Sequence, residues 1–242
     1  MTNKLKQINP IKGEYIRLWV IAAFVFIISP IISCCFASSD EESPVWTSIS
    51  RLGWITGHQA FMYIWGIILF APMCYAAWYA MKHTNKLHPV VKQLFKYCVI
   101  AFCVIITVGS FIPAHDPGPG PDFSAPRNAM ALAHDHMSRI GMFGLLGTLM
   151  VYCVIAFISK QWNHAIVQTL ATCFVIIIGV WCFMEVRDKT SYCGVSAATQ
   201  IIAFSLMNVL NFMIFYFYER QYINKLKEEG NKEPEQIEES AE

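Results

Sequence analysis

The segment LAHDHMSRIG at 132–141 concentrates side chains that could do chemistry at the start of an apolar stretch. They are His134, Asp135, His136 and Arg139. A histidine beside a carboxylate could act as a general base with an orienting partner, which makes His134 and Asp135 the candidate catalytic residues. If the segment is helical, Asp135 and Arg139 lie four residues apart on one face, with the acid first, and favour an ion pair. The ion pair is the interpretation that we favour.

A metal site is the second chemistry that the histidines allow. His134 and His136 are two residues apart, so they point to nearly opposite sides of a helix and to the same side only in an extended segment. A shared metal therefore requires the helix to begin after His136. Zinc takes three protein ligands at a catalytic site and four at a structural one. The candidate ligands that would have to converge are His58, His134, His136 and Asp116, with Glu185 as an alternative to Asp116.

The elements that must position these residues are membrane-spanning helices. The 242 residues are 55% hydrophobic and only 14% charged, whereas soluble domains are nearer a quarter charged. Six apolar runs are long enough to cross about 30 Å of hydrocarbon as helices, and lipid offers irregular backbone no partner. The predicted spans are 18–36, 54–81, 94–112, 140–159, 165–184 and 195–218. We therefore expect an all-α fold, a polytopic six-helix bundle within residues 1–227.

Basic residues flank the predicted spans mainly on the side that holds both chain termini. The positive-inside rule then places the N and C termini in the cytoplasm. His58, His134 and His136 then fall at the outer face, where they form a predicted histidine cluster. Glu185 after the fifth span and Gln200 near the outer end of the sixth are predicted to join Asp135 in an outer polar site.

The last segment, 228–242, is acidic and lacks aromatic residues, which predicts a disordered tail. A protein partner at this cytoplasmic tail is possible, and membrane lipids are the other expected partners. No nucleic-acid partner is expected. The sequence predicts an integral multi-pass protein and does not distinguish the plasma membrane from an endomembrane.

The nine cysteines contain no CxxC pair or other metal-ligand spacing. Cys34, Cys35 and Cys193 are predicted to lie near the outer face. A disulfide from Cys193 to either Cys34 or Cys35 is therefore possible in an oxidising compartment.

Small and amide residues mark two of the predicted spans. Gly141, Gly144 and Gly147 recur every three residues, and glycines in membrane helices allow neighbouring helices to approach closely. Asn208 and Asn211 share one face of the sixth span. We expect these two side chains to form hydrogen bonds between helices or to line a polar cavity.

Three short motifs resemble those of a known family. They are SISRLG at 48–53 before the second span, AHD at 133–135 before the fourth, and SAATQIIAF at 196–204 in the sixth. With six spans and both termini inside, the chain resembles the DRAM/Sfk/FRAG family of small six-pass membrane proteins. His134 and Asp135 match its His-Asp pair, whereas Arg51 and Gln200 stand where the family has acids. The resemblance implies a role in lipid handling or endomembrane regulation, and the two departures argue against carboxylate chemistry shared with the family.

Three classes of function are compatible with the sequence. The favoured class is a non-catalytic integral membrane protein with a lipid-linked or scaffolding role, in which the outer polar cluster organises loops or contacts headgroups. The first alternative is a membrane-embedded hydrolase that cleaves a lipid ester or amide at the outer leaflet with a metal-activated water. The second alternative is a transporter of small solutes or ions, for which Asn208 and Asn211 would supply polar groups within the membrane.

Overall fold

The structure is a computed structural model that describes the backbone of residues 2–38, 59–112, 129–190 and 197–239. Side chains are described for 11–34, 59–112, 129–181 and 200–229. All the regular structure in these ranges is helical. The fold class is therefore all-α, as predicted.

Seven α-helices and one π-helical segment make up the described elements. The first two helices form one continuous element: α1 is Thr2–Ala23, the π-helical segment is Phe24–Ile28, and α2 is Ser29–Ser38. The others are α3 (Gln59–His83), α4 (Pro89–Phe111), α5 (Ala129–Ile158), α6 (Trp162–Thr190) and α7 (Ala197–Glu239).

Six stretches of these helices are long and apolar enough to cross a membrane. They are Ile11–Cys34, Gln59–His83, Pro89–Phe111, Ala129–Ile158, Trp162–Trp181 and Gln200–Glu229. Large apolar side chains such as Phe26, Ile67, Val151 and Ile177 remain exposed along them, which suits a surface in contact with lipid. The prediction of a multi-pass membrane protein with six spans is confirmed, and the orientation of the termini stays a prediction.

Three helices extend well beyond the predicted spans, because hydropathy detects only the apolar part of a helix. α1 begins at Thr2 instead of 18. α5 begins at Ala129 instead of 140, so the whole of HDHMSR is helical. α7 continues to Glu239, through most of the acidic segment that was predicted to be disordered. That segment is rich in Glu, Lys and Gln, which favour helix, a preference that a prediction from composition leaves out.

The helices from α3 to α7 pack against their neighbours in sequence, and α7 closes the bundle against α1 and α3. The core between them contains side chains that are almost fully buried, including Leu69, Leu145, Leu149, Leu210 and Phe215. Because α7 contacts helices from both ends of the chain, polar groups on α7 can meet partners on α1, α3 and α6.

Two prolines lie inside spanning elements. Pro30 has no N–H to donate to the carbonyl of Phe26, and the wider π-helical turns of Phe24–Ile28 come just before it. Pro72 lies inside α3 and leaves the carbonyl of Ile68 without its helical donor. α3 therefore has a weakened hydrogen-bond ladder near its middle.

Candidate functional site

The two ends of the bundle differ in charge. At one end, here called the basic end, Arg17 contacts Tyr79 and Lys227 contacts Tyr15. These contacts bring the start of the first span to the end of α3 and to the end of the last span. The opposite end contains His134. The predicted site belongs to the opposite end.

His134 is buried and holds the end of α4. Its Nδ1 lies 2.8 Å from the carbonyl oxygen of Gly109 and 3.1 Å from that of Ile112. The last four carbonyls of a helix have no donor within the helix. With its proton on Nδ1, the imidazole donates to these oxygens and fastens the end of α4 to α5. This contact assigns His134 a structural task.

The predicted ion pair between Asp135 and Arg139 is present. Their closest oxygen and nitrogen are 3.9 Å apart, and the side chains are 27% and 67% exposed. A pair this long and this exposed contributes little to stability. Gln200, at the start of the last span, is partly buried, and its role in the outer polar site stays a prediction.

A metal shared by His134 and His136 requires the helix to begin after His136, but α5 is helical from Ala129. His134 faces the interior, whereas His136 is exposed, because residues two apart point to nearly opposite sides of a helix. Within the described side chains, no group of three or more His, Cys, Asp or Glu could hold a metal ion. His58 and Asp116 lie outside the described residues, and Glu185 lies on α6 with its side chain outside them. Zinc binding through those residues stays a prediction.

Two of the three predicted packing glycines lie against α4, and Gly147 has no described atom close to it. A Cβ on Gly141 would collide with the side chain of Ile106 and come within 3.0 Å of the carbonyl oxygen of Phe102, and one on Gly144 would collide with the Phe102 ring. A Cβ on Gly147 would meet no described atom within 4 Å. Residues three apart on a helix differ in direction by about 60°. Gly147 therefore lies outside the face of α5 that contacts α4.

Of the three cysteines in the predicted disulfide, only Cys34 has a described side chain. Cys34 is an exposed free thiol among the described residues, and its pairing with Cys193 stays a prediction because Cys193 lies outside them. The side chains of Cys35 and Cys193 lie outside the described residues, and a disulfide between them stays a prediction.

The two asparagines of the last span tie α7 to α3. Nδ2 of Asn208 donates to the carbonyl of Leu69 at 3.1 Å, and Nδ2 of Asn211 donates to the carbonyl of Met73 at 2.9 Å. Both side chains are buried. The predicted bonds between helices are therefore confirmed. The two carbonyls flank Pro72, in the turn of α3 that lacks a backbone donor.

A neutral aromatic network links three helices at the basic end. The hydroxyl of Tyr152 donates to the hydroxyl of Tyr218 at 2.9 Å, and Nε2 of His164 lies 2.9 Å from the Tyr152 oxygen. The imidazole also stacks on Phe217, with ring centroids 3.8 Å apart. Since Tyr152 uses its proton toward Tyr218, His164 donates to Tyr152, and the network joins α5, α6 and α7.

A charged cluster lies beside this network and is called here the buried acid cluster: Glu14, Arg17, Tyr79 and Glu219. Arg17 donates to the carboxylate of Glu14 and to the hydroxyl of Tyr79. The Tyr79 hydroxyl donates to Oε2 of Glu14 at 2.5 Å. The guanidinium carbon of Arg17 also lies 4.1 Å from the centre of the Tyr79 ring. Oε2 of Glu14 thus accepts from both donors.

Glu219 completes the buried acid cluster and lacks such donors. Its side chain is 1% exposed, and neither carboxylate oxygen has a hydrogen-bond donor among the described residues. The charged groups that face it are Glu14 and Arg17. One guanidinium therefore serves two acids, and burying a carboxylate without its own partner is costly.

Two cavities open at the basic end. The larger, of 300 Å³, lies between α1 and α7, where Arg220 donates to the hydroxyl of Tyr216 at 3.3 Å and Lys227 to that of Tyr15 at 3.0 Å. The second, called here the lysine pocket, has a volume of 230 Å³ and lies between the end of α3 and the start of α4. Its lining residues are Trp78, Met81, Lys82, Lys92, Gln93 and Lys96.

The sequence places basic residues at this end, but the positive-inside rule already accounts for them, so they predict no particular site. A usable signal was the helical spacing of Asn211, Phe215 and Glu219, which repeats every four residues and places them on one face. A carboxylate on the face that carries a buried asparagine is expected to be buried too. Glu14 and Tyr79 have no comparable signal, since their contact joins helices far apart in sequence.

The chain matches no protein-family model, no curated protein and no solved structure. The resemblance to the DRAM/Sfk/FRAG family therefore stays a proposal based on its short motifs.

Proposed function

We propose that the protein is a non-catalytic integral membrane protein with a lipid-linked or scaffolding role. The observation that carries this proposal is the position of His134, whose ring bonds the carbonyl oxygens of Gly109 and Ile112. The residue that a base-catalysed reaction would need is engaged in holding two helices together. Asp135 pairs with Arg139 along the same helix, which accounts for the second candidate catalytic residue.

The resemblance to the DRAM/Sfk/FRAG family makes lipid the expected partner. The wide lipid-facing surface of the spans and the cationic cavities at the basic end fit that expectation. The hydrolase alternative is less well supported, because His134 and His136 would have to ligate one metal from nearly opposite sides of α5.

A comparison of two histidine variants tests the proposal. His134→Ala should lower the free energy of unfolding by about 1–3 kcal/mol, because the carbonyl of Ile112 loses its imidazole donor and that of Gly109 keeps only the N–H of Ile112. Thermal unfolding of purified protein measures the loss, and hydrogen exchange should rise at the end of α4. His136→Ala, on the exposed side of the same helix, is the matched control and should leave both measurements unchanged.

The same preparations decide between a structural and a catalytic role. We expect no turnover of lipid esters or amides by the wild-type protein above a protein-free sample, and no metal that is retained by the wild type and lost in His134→Ala. Lipid turnover that disappears in His134→Ala, with stoichiometric metal in the wild type, would overturn the proposal in favour of the hydrolase.

A further inference from the structure

The lysine pocket gathers three cations at the mouth of the α3–α4 hairpin. Lys82 is at the end of α3, and Lys92 and Lys96 lie one turn apart on α4. All three line the same 230 Å³ cavity. The pocket thus concentrates positive charge from two helices.

No described carboxylate neutralises these cations. Lys92 donates to the carbonyl of Thr84 at 2.8 Å, while Lys82 and Lys96 lie over aromatic rings, 5.3 Å and 4.4 Å from the ring centres. These partners are neutral, and the described ion pairs involve other residues. The stretch 82–96 contains no Asp or Glu. Three like charges around one cavity repel each other, and a ligand with several negative charges would relieve that repulsion.

The surroundings place the cavity at the depth of lipid headgroups. Trp78 is 41% exposed and lines the cavity, while Met81 is buried beneath it. Tryptophan is enriched where hydrocarbon meets headgroups. The cavity opens at the end of a span, on the side where the basic residues predict the cytoplasm. Gln93 adds an uncharged donor and acceptor for ester or hydroxyl oxygens.

We propose that the lysine pocket binds the headgroup of an inner-leaflet phospholipid that carries more than one negative charge. The proposal rests on the lipid-linked role proposed above and names its ligand class and its site. Basic pockets between membrane helices on the cytoplasmic side suit such headgroups. Three ammonium groups favour a polyvalent headgroup over phosphatidylserine, because a single net charge would leave two of them unneutralised.

Native mass spectrometry of the full-length protein in detergent tests the pocket. The protein is mixed with phosphatidylinositol bisphosphate, phosphatidylserine and phosphatidylcholine in equal amounts. We expect one bisphosphate lipid per chain to be retained in preference to the others. Lys82→Gln/Lys96→Gln should weaken that retention about 25-fold, at about fivefold for each lysine.

The matched control is Lys86→Gln/Lys160→Gln. These lysines are exposed at the same end and do not line the pocket, so the variant has the same net charge and should retain the lipid. Equal weakening in both variants would show attraction to the basic end in general and would overturn the pocket. Equal retention of phosphatidylcholine would overturn it as well.

A competition experiment separates a lipid from a soluble polyphosphate. Inositol trisphosphate, the free headgroup, should displace the lipid poorly, because it lacks contacts beside Trp78. Displacement at equal concentration would assign the pocket to a soluble anion and overturn the lipid proposal. Thermal unfolding of both variants verifies that they are folded. Failure of the pocket leaves the non-catalytic role intact, whereas lipid turnover would reject that role without bearing on the pocket.

Discussion

Glu219 and Arg139 are ionisable residues that lie in very different surroundings. Arg139 reaches an acid 3.9 Å away at the exposed surface of α5, where loss of the pair changes little. Glu219 lies buried against α1 and shares the single guanidinium of Arg17 with Glu14. The buried acid cluster is therefore where single substitutions have their largest electrostatic effect.

Arg17→Met should lower the free energy of unfolding by about 3 kcal/mol, because it leaves the Glu14 carboxylate without its cation while the side chain keeps most of its apolar volume. Thermal unfolding in detergent is the measurement. Lys12→Met, an exposed cation on the same helix, should leave the melting temperature unchanged. Equal behaviour of the two variants would show that the guanidinium is not a structural partner of Glu14.

Glu219→Gln should preserve or raise the melting temperature, in contrast to Arg17→Met. The amide replaces a buried acid that has no donor of its own, and its NH₂ group can donate to Glu14. A double-mutant cycle measures the coupling. The Arg17→Met loss should shrink in the Glu219→Gln background, because one buried acid fewer then needs the cation. A larger loss in that background would contradict the shared-cation arrangement.

Two kinds of contact hold the spanning elements together. α4 and α5 approach through small residues, so that Phe102 and Ile106 fill the space where side chains of Gly141 and Gly144 would be. α3 and α7 are joined by amide side chains that donate to backbone carbonyls. Stability at the α4–α5 contact therefore depends on side-chain volume, whereas stability at the α3–α7 contact depends on the asparagine donors.

Gly141→Ala should destabilise the bundle by about 1–3 kcal/mol, because the new methyl group meets Ile106 and the Phe102 carbonyl without room to shift. Gly147→Ala on the same helix should be neutral or stabilising by about 0.5–1 kcal/mol, since Ala favours helix and no described atom obstructs its Cβ. Thermal unfolding of the two variants measures the difference in stability. Similar losses at both positions would mean that Gly147 also faces a helix.

At the scale of the whole molecule, the first and last spans meet at the basic end. Nζ of Lys227 lies 3.0 Å from the hydroxyl of Tyr15, which joins the start of the first span to the end of the last. With six spans between them, both termini leave the membrane on one side. The basic residues of that side predict that it is the cytoplasm.

Epitope tags added before residue 1 and after residue 242 should both be removed by protease in inside-out vesicles and both be protected in right-side-out vesicles. Western blotting with each tag antibody is the readout. A tag placed in 113–128, between α4 and α5, is the control and should behave in the opposite way. Protection of one terminal tag alone would contradict the even number of spans.

The number of spans followed from the sequence because lipid imposes a minimum apolar length on each one. The contact between Asp135 and Arg139 also followed, since four residues on a helix suffice to form it. The role of His134 did not follow, because its acceptor on Gly109 lies 25 residues away and belongs to another helix. Spacing alone also does not show that α4 contacts Gly141 and Gly144 but not Gly147, because the contact depends on where the two helices diverge. The buried state of Glu219 depends on three helices at once and is visible only after they pack.

The bond from Asn208 to the carbonyl of Leu69 spans 139 positions of the chain, which has a consequence for biosynthesis. α3 leaves the ribosome long before α7, so its carbonyls near Pro72 have no asparagine donors while the intervening spans are made. Only the last helix supplies those donors and packs against α1, α3 and α6. A chain stopped before residue 200 would insert its first five spans without the helix that joins them, and quality-control proteases would meet an open bundle.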